Sequence, residues 1–451
     1  MLRALAYVLM LAVAVAAAVW VADRPGAVTV DWLDWRLETS VPVLLAVLLA
    51  IAAGLTLLLR LMAGLAQLPS RWAGERRQRL RRKGYLALTD GLVAAASGQA
   101  GRAKKLAGRA QKLLEDPALT GFLSAQAARL SGDHEAARDH YQRMLERPET
   151  TVLGLRGLLE QALARHDDSA AIDLATRARA FSPDDGWLVE TLFVLLLKRG
   201  RLREAHDLIA DAGRNKALPA TVLARHRALV LNERAARAEA SGDRRDAVTL
   251  AGQAATSDPG LTAAALRLAR LQATAGRPRR AAAVLEAAWA RQPVPALARA
   301  YADLVPGETP LQRVRRLEKL AARRPADAES ALALGEASLE AKLWGQARKH
   351  LLAAAQARPA VRPFTLLARL EQAEYHNETA ARAWLDKAMA AAADPAWVCR
   401  SCGHVAAEWA TLCPACDAVD SLTWSTPRPL PAPAAERSAE PPAPVANLAS
   451  R

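Results

Sequence analysis

Two uninterrupted apolar stretches open the chain, and a helical repeat pattern fills most of the remaining length. Residues 4–22 (ALAYVLMLAVAVAAAVWVA) carry no charge, and neither do residues 41–59 (VPVLLAVLLAIAAGLTLLL). At 1.5 Å of rise per residue, 19 helical residues reach about 28 Å, close to the hydrocarbon thickness of a bilayer. Both are predicted to be membrane helices. The first also has features of a cleaved signal peptide, with Arg3 before the apolar core and Ala16-Ala17-Ala18 where a peptidase would cut. Its core is longer than a usual signal core, and under either reading 41–59 remains an anchor.

From about residue 85 to 395 the pattern changes to Leu and Ala at helical spacing, interrupted at regular intervals. The segment Ser131-Gly-Asp-His-Glu-Ala-Ala-Arg-Asp-His-Tyr141 resembles the turn and second helix of a tetratricopeptide unit. With Ala137 as the small residue at the helix crossing, equivalents fall at Ala103, Ala171, Ala205, Ala247, Ala281, Arg313, Ala347 and Ala381. Six of these eight spacings are 34 residues, the length of that unit, and the one after Ala205 is 42. Nine degenerate units with an eight-residue insertion are expected. Gly132, Gly200, Gly242 and Gly276 mark turns, and Pro117, Pro148, Pro183, Pro259, Pro293, Pro325, Pro359 and Pro395 are expected to end units. Small residues at Gly91, Ala125, Ala235, Ala269 and Gly335 supply the other side of the crossing. Two departures stand out: most second helices lack an aromatic, Tyr141 being the exception, and Arg313 takes a position expected to be small. An alanine-rich bundle without repeat register is the alternative. A repeat solenoid offers a long concave face, which suits protein partners better than chemistry.

Composition supports the helical reading. Apolar residues make up 52% of the 451, yet aromatics only 4%, so alanine and leucine rather than strand formers carry the hydrophobicity. An all-α fold is predicted, in more than one part. The net charge of +15 is unevenly spread: Arg60, Arg71, Arg76, Arg77, Arg79, Arg81, Arg82 and Lys83 face only Glu75 between residues 60 and 83. Basic residues directly after an apolar span place that side in the cytoplasm, and this reading is preferred to nucleic-acid binding. The loop at 23–40, with a net charge of −2, then lies outside. The expected layout is a two-span anchor (1–60), a basic hinge (61–84), a repeat array (85–395), a cysteine knuckle (396–426) and a disordered tail (427–451) with seven prolines. This layout makes the chain an inner-membrane protein with cytoplasmic repeats and a cytoplasmic C-terminus.

All four cysteines fall within eighteen residues, as Cys399-x2-Cys402 and Cys413-x2-Cys416. Two such hooks present four thiolates, a set that suits tetrahedral zinc and also accepts iron. A reducing cytoplasm argues against two disulfides. With four sulfurs the coordination shell is closed, so one structural ion is expected. His404 comes after the first hook and is read as a surface residue. The remaining histidines, His134, His140, His166, His206, His226, His350 and His376, are read as solvated or seam residues rather than ligands.

Pro25-Gly26-Ala-Val-Thr-Val-Asp-Trp32, then Leu37-Glu38-Thr39-Ser40 before the second span, and the basic stretch through Lys83 to Gly91, resemble the HemY family of tetratricopeptide membrane proteins. That resemblance implies a role in late protohaem synthesis, coordinating haem-pathway enzymes or handling porphyrin at the membrane. The tail motif Cys399-x2-Cys402-Gly403…Trp409…Cys413-Pro414-x-Cys416 resembles the rubredoxin-like end of another tetratricopeptide membrane protein, one that controls lipopolysaccharide assembly. The single span of that protein contrasts with the two stretches here. The chain lacks a GxGxxG fingerprint, a nucleophile elbow, a phosphate loop and a paired-carboxylate motif, so a non-catalytic scaffold is expected. The alternative is an adaptor in envelope lipid assembly or regulated proteolysis. Because solenoid stability is largely nearest-neighbour, losing the knuckle is expected to leave the array folded.

Overall fold

The computed structural model describes residues 26–32, 35–114 and 116–427, with 9, 10, 12, 13, 15, 16, 19 and 20. About 74% of the chain is helical. It divides into two compact units, residues 1–140 and 141–451. In the first apolar stretch, 4–22, the eight described residues are helical and exposed, and the proline-rich tail after residue 427 lies outside the described residues.

In the first unit, strands β1 (Ala27–Trp32) and β2 (Trp35–Ser40) pair antiparallel, with Ala27 opposite Ser40 and Trp32 opposite Trp35. Thus the segment between the two apolar stretches is a hairpin, which an all-α expectation did not contain. The Val41 N–H donates to the Gly26 carbonyl at 3.1 Å, tying the base of the hairpin to the start of the next helix. That helix runs unbroken for 56 residues, Val41–Ala96. Its first part, Val41–Arg60, has a mean hydropathy of 2.7 and no buried residue, the signature of a segment made to face lipid. It is the one candidate span among the described residues. The stretch 61–84 is helical throughout and continuous with the span, and Arg76–Lys83 are exposed.

The end of this helix opens a series of nine helix pairs among the described residues. Its partner is Ala100–Leu113, and the pair Pro117–Leu130 and His134–Met144 comes next. The second unit continues in the same way from Pro148–Ala164 with Asp168–Phe181 to Val361–Tyr375 with Glu378–Ala390. Ala103, Ala137, Ala171, Ala205, Ala247, Ala281 and Ala347 are fully buried, and Ala381 nearly so. Burial recurs four and seven residues later, as in Ala103, Ala107 and Ala110, or Ala171, Ala175 and Ala178. That stripe lies on one side of a helix and brings the two backbones of a pair close together. Arg313 does not take the crossing position: it is half exposed and reaches Glu340 at 3.3 Å, while its neighbour Val314 is buried there. The repeat length shifts by one residue at this unit, so the branched side chain rather than the charge faces the seam.

The turns repeat as closely as the seams. Each described turn within a pair holds one residue at positive φ: Gly98, Gly132, His166, Gly200, Gly242, Gly276, Gly307, Lys342 and His376. Around Gly132, the Asp133 N–H donates to Ala128 O at 3.0 Å and the Gly132 N–H to Arg129 O at 3.1 Å, closing the helix end in the Schellman manner. Asp133, Asp167, Asp243 and Asn377 then cap the second helix, each accepting from the N–H three residues on. Pro117 and Pro148 open the next helix at its first turn rather than ending a unit, a place where the missing N–H costs nothing. The expected eight-residue insertion is a lengthening: Ala220–Ala240 has 21 residues where Gly186–Lys198 and Thr262–Thr274 have 13.

Tyr141, the lone aromatic of its kind, is buried in the seam against Gly157, where an added Cβ would lie 2.2 Å from the ring. Gly157→Ala is therefore expected to destabilise the protein by about 1–3 kcal/mol through overpacking. Adding Tyr141→Leu should recover part of that loss. Thermal unfolding of the two variants checks this, and additive losses would show that the ring does not set the constraint.

Candidate metal centre and its seat on the repeats

After the last helix the chain forms strand β3 (Ala396–Cys399), which pairs with β4 (Val405–Ala406) on one side and β5 (Leu422–Ser425) on the other, all antiparallel. The first hook leaves the end of β3 and turns at Gly403, whose φ is +75°, with the Gly403 N–H donating to Cys399 O at 2.9 Å. The second hook turns the same way: the Asp417 N–H donates to Cys413 O at 2.9 Å, and Asp417 takes φ +54° where glycine would be unstrained. Two short turns of one design thus aim four thiols inward.

The sulfurs of Cys399, Cys402, Cys413 and Cys416 all lie within 4.8 Å of one another, and none is in a disulfide. Cys399 and Cys416 are 3.7 Å apart, Cys402 and Cys413 3.8 Å. A tetrahedron with metal–sulfur bonds of about 2.3 Å has edges of about 3.8 Å. Both spacings fit that edge. Cys399 and Cys413 are buried, Cys416 is half-buried and Cys402 is exposed, so the cluster lies at a surface with its back to a core. Burial pushes the Cys399 thiol up, but Ser421 and the backbone at Ser401 and Cys402 outweigh it and bring it down to about 6. The backbone at His404 lowers the Cys402 thiol, but the surrounding sulfurs and burial outweigh it and push it up to about 12. The His404 carbonyl accepts from the Cys399 N–H at 2.8 Å. No other cluster of His, Cys, Asp and Glu with ligand spacing occurs among the described residues.

The knuckle does not hang free of the array. Trp397, Cys399, Cys413 and Leu422 share one apolar core with Leu285, Trp289, Leu297 and Tyr301 of the repeats. Trp397 meets Trp424 edge to face, with centroids 5.3 Å apart. The Thr411 hydroxyl donates to Glu233 Oε1 at 2.5 Å. Arg225 grips Asp420 with two bonds, at 2.9 and 2.6 Å, and Asp258 with a third at 2.9 Å. Burial works against the Arg225 charge, but the two carboxylates outweigh it and raise its pKa. Trp409 lies under the same guanidinium, 5.9 Å from its ring centre. Asp420 itself takes a positive φ of 48° to present its carboxylate.

Arg225 belongs to the first two turns of Ala220–Ala240, the turns that make this helix eight residues longer than its counterparts. The insertion read from the 42-residue spacing is therefore part of the seat on which the knuckle rests. The sequence marked the insertion but not its use, because nothing in a spacing says which distant carboxylate an added arginine will meet. His226, on the same added turns, stacks on Phe193 at 4.1 Å, a seam role. Its pKa is lowered first by burial and then by Arg225, against an opposing pull from Asp420. His166 and His376 occupy positive-φ turn positions.

The family model for the HemY protein N-terminus matches residues 26–132, and a tetratricopeptide repeat model matches residues 238–304. Among solved structures, that of MamA aligns with a TM-score of 0.25 at 14% identity, covering 35% of this chain and 92% of that one. That of Naa15/Naa10 bound to HypK-THB aligns with a TM-score of 0.39 at 15% identity, covering 70% and 55%. Neither bears on what this chain binds. Among curated proteins, one from Magnetospirillum gryphiswaldense named "Probable magnetosome protein Mms48" is 30% identical over 443 residues, covering 94% of each chain. With the HemY N-terminus, the repeats and a relative matched over nearly the whole length, the chain belongs to the HemY-like family of tetratricopeptide-repeat proteins.

Proposed function

We propose that this protein is a non-catalytic, membrane-anchored scaffold whose repeats dock protein partners on the concave face. One observation carries the reading: an apolar span and the first repeat helix are a single continuous helix, so whatever the repeats hold is held at the membrane. The family supports late haem-pathway enzymes as partners, with porphyrin or haem as a further ligand. A second reading, assembly of a magnetosome, draws on the name of the relative from Magnetospirillum gryphiswaldense. The anchor is taken to include the first apolar stretch, with the N-terminus, repeats and C-terminus on the cytoplasmic side of the inner membrane. The basic run of Arg76–Lys83 supports that orientation.

The four thiols are proposed to hold one zinc or iron ion, with Cys399, Cys402, Cys413 and Cys416 as ligands. The spacing and the closed four-sulfur set support a structural ion; when bound, it would supply the cross-link that a knuckle of this size lacks. The shared core of knuckle and repeats alters one expectation. Losing the knuckle would uncover Trp289 and its neighbours and leave Arg225 facing a single carboxylate, so the repeats around 220–302 would not stay intact.

Three outcomes are expected. Full-length protein purified without chelator carries one zinc or iron per chain by elemental analysis, and Cys402→Ser lowers that content; unchanged content would sink the four-thiolate assignment. Arg225→Ala lowers unfolding stability by on the order of 2 kcal/mol, because Asp420 and Asp258 keep their half-buried charges without the guanidinium; a melting curve identical to wild type would refute this seat. Affinity capture of the anchored protein from membranes recovers haem-pathway enzymes above the level given by residues 1–83 alone. Recovery of lipid-assembly or protease components instead, with normal porphyrin levels in a null strain, would favour the adaptor reading.

A further inference from the structure

Along the repeats, arginines are commonly paired with a carboxylate one repeat away. Arg179 reaches Asp211, Arg199 reaches Asp168, Arg270 reaches Glu239 and Arg323 reaches Glu286. Other arginines have no such partner, and three of them gather at one place. Between the turn at Gly200 and the end of Ala220–Ala240 lies a cleft of about 560 Å³, lined among others by Arg203, Arg234 and Arg237. The lining also carries Arg201 and three carboxylates, those of Glu204, Asp243 and Asp246. Arg201 is held two-pronged by Glu204 at 2.6 Å, and Asp243 caps the next helix through the Asp246 N–H at 3.0 Å. Arg203, Arg234 and Arg237 have no ion-pair partner among the described residues.

Arg237 folds its guanidinium over Gly200, where a Cβ would lie 2.3 Å from Nη2. The positive φ of 66° at Gly200 favours glycine. The basic edge continues past the cleft through exposed Arg244 and Arg245 and, one turn on, Arg277, Arg279 and Arg280. Arg203, Arg234 and Arg237, without a fixed carboxylate of their own, leave guanidinium donors that an added carboxylate can meet.

We propose that this cleft and edge bind an acidic, extended segment of a protein partner, with Asp or Glu carboxylates forked by Arg203, Arg234 and Arg237. The proposal rests on the scaffold reading and names the partner's chemistry. Guanidinium forks match carboxylates in pairs of parallel bonds. The volume falls in the range of ligand sites and far exceeds what a lone oxyanion fills. Packed helix layers are about 8–10 Å apart and three extended residues span about 10 Å, so an acid at every third residue meets successive turns.

The test uses full-length protein in detergent micelles and a fluorescent twelve-residue peptide with glutamate at every third position among glycine and serine. Anisotropy should report binding that weakens with added salt and is absent for the glutamine version. Arg203→Glu with Arg237→Glu should weaken it at least tenfold. Lys216→Glu with Arg291→Glu, the same charge change at turns between pairs, should change it less than twofold. Equal loss in both double variants overturns the proposal in favour of general charge, and full displacement by 10 mM inorganic phosphate overturns it in favour of a small-anion site. Binding to phosphatidylglycerol vesicles that is lost in the cleft variant, with peptide binding intact, overturns it in favour of lipid. If the cleft variant keeps every partner captured by wild type, the cleft assignment fails while the scaffold stands. If wild type captures no partner yet binds the peptide through the cleft, the scaffold reading fails instead.

Discussion

The architecture depends on how closely two helices can approach, and here that distance is set by side chains of a single carbon. Ala171, Ala175 and Ala178, and their equivalents in other second helices, bury a methyl group where most helical proteins bury a leucine. Dispersion contacts rise steeply as backbones approach, but each methyl removes little apolar area from water. The seam is therefore geometrically strict and energetically modest per residue. Gly157 under Tyr141 shows the strictness, since one added carbon has nowhere to go.

Modest seams need reinforcement, and the arginines supply it between repeats. The clearest case is Glu329, whose carboxylate is almost wholly buried and is held by Arg358 at 2.7 Å and Arg362 at 2.5 Å. Arg362 also forks Glu336, and its backbone N–H donates to Asp394 at 3.0 Å. A buried carboxylate held by two guanidiniums contributes more to fixing register than to net stability, since desolvation offsets much of the attraction. The knuckle reinforces in a different way. It joins residues about 195 apart in sequence through Arg225 and Asp420, a long-range contact in a fold otherwise built from neighbours.

Much of this was legible in the sequence. Alanine spacing located the seams because the crossing tolerates only small residues, and the hooks located the thiols because four sulfurs need that spacing. The unit with Arg313 was misread by one position, since an arginine at the expected number hid Val314 beside it. The hairpin went unseen because Ala27–Ser40 is short and flanked by strong helical signals. Prolines were legible as boundaries but not as to side: a proline after one helix and before the next reads alike until the first-turn geometry is known. The seat of the knuckle depends on a pairing across half the chain, which local pattern does not encode.

The unbroken helix Val41–Ala96 gives the membrane segment and the first repeat a common angular phase. Each residue of an α-helix turns about 100°, so the face the first repeat presents is fixed by the number of residues after the span. Inserting one residue between Arg60 and Tyr85 would swing that face about a quarter turn around the axis, and seven residues, about two full turns, would nearly restore it. Substitutions that keep the stretch helical preserve that phase, whereas a change in its length does not.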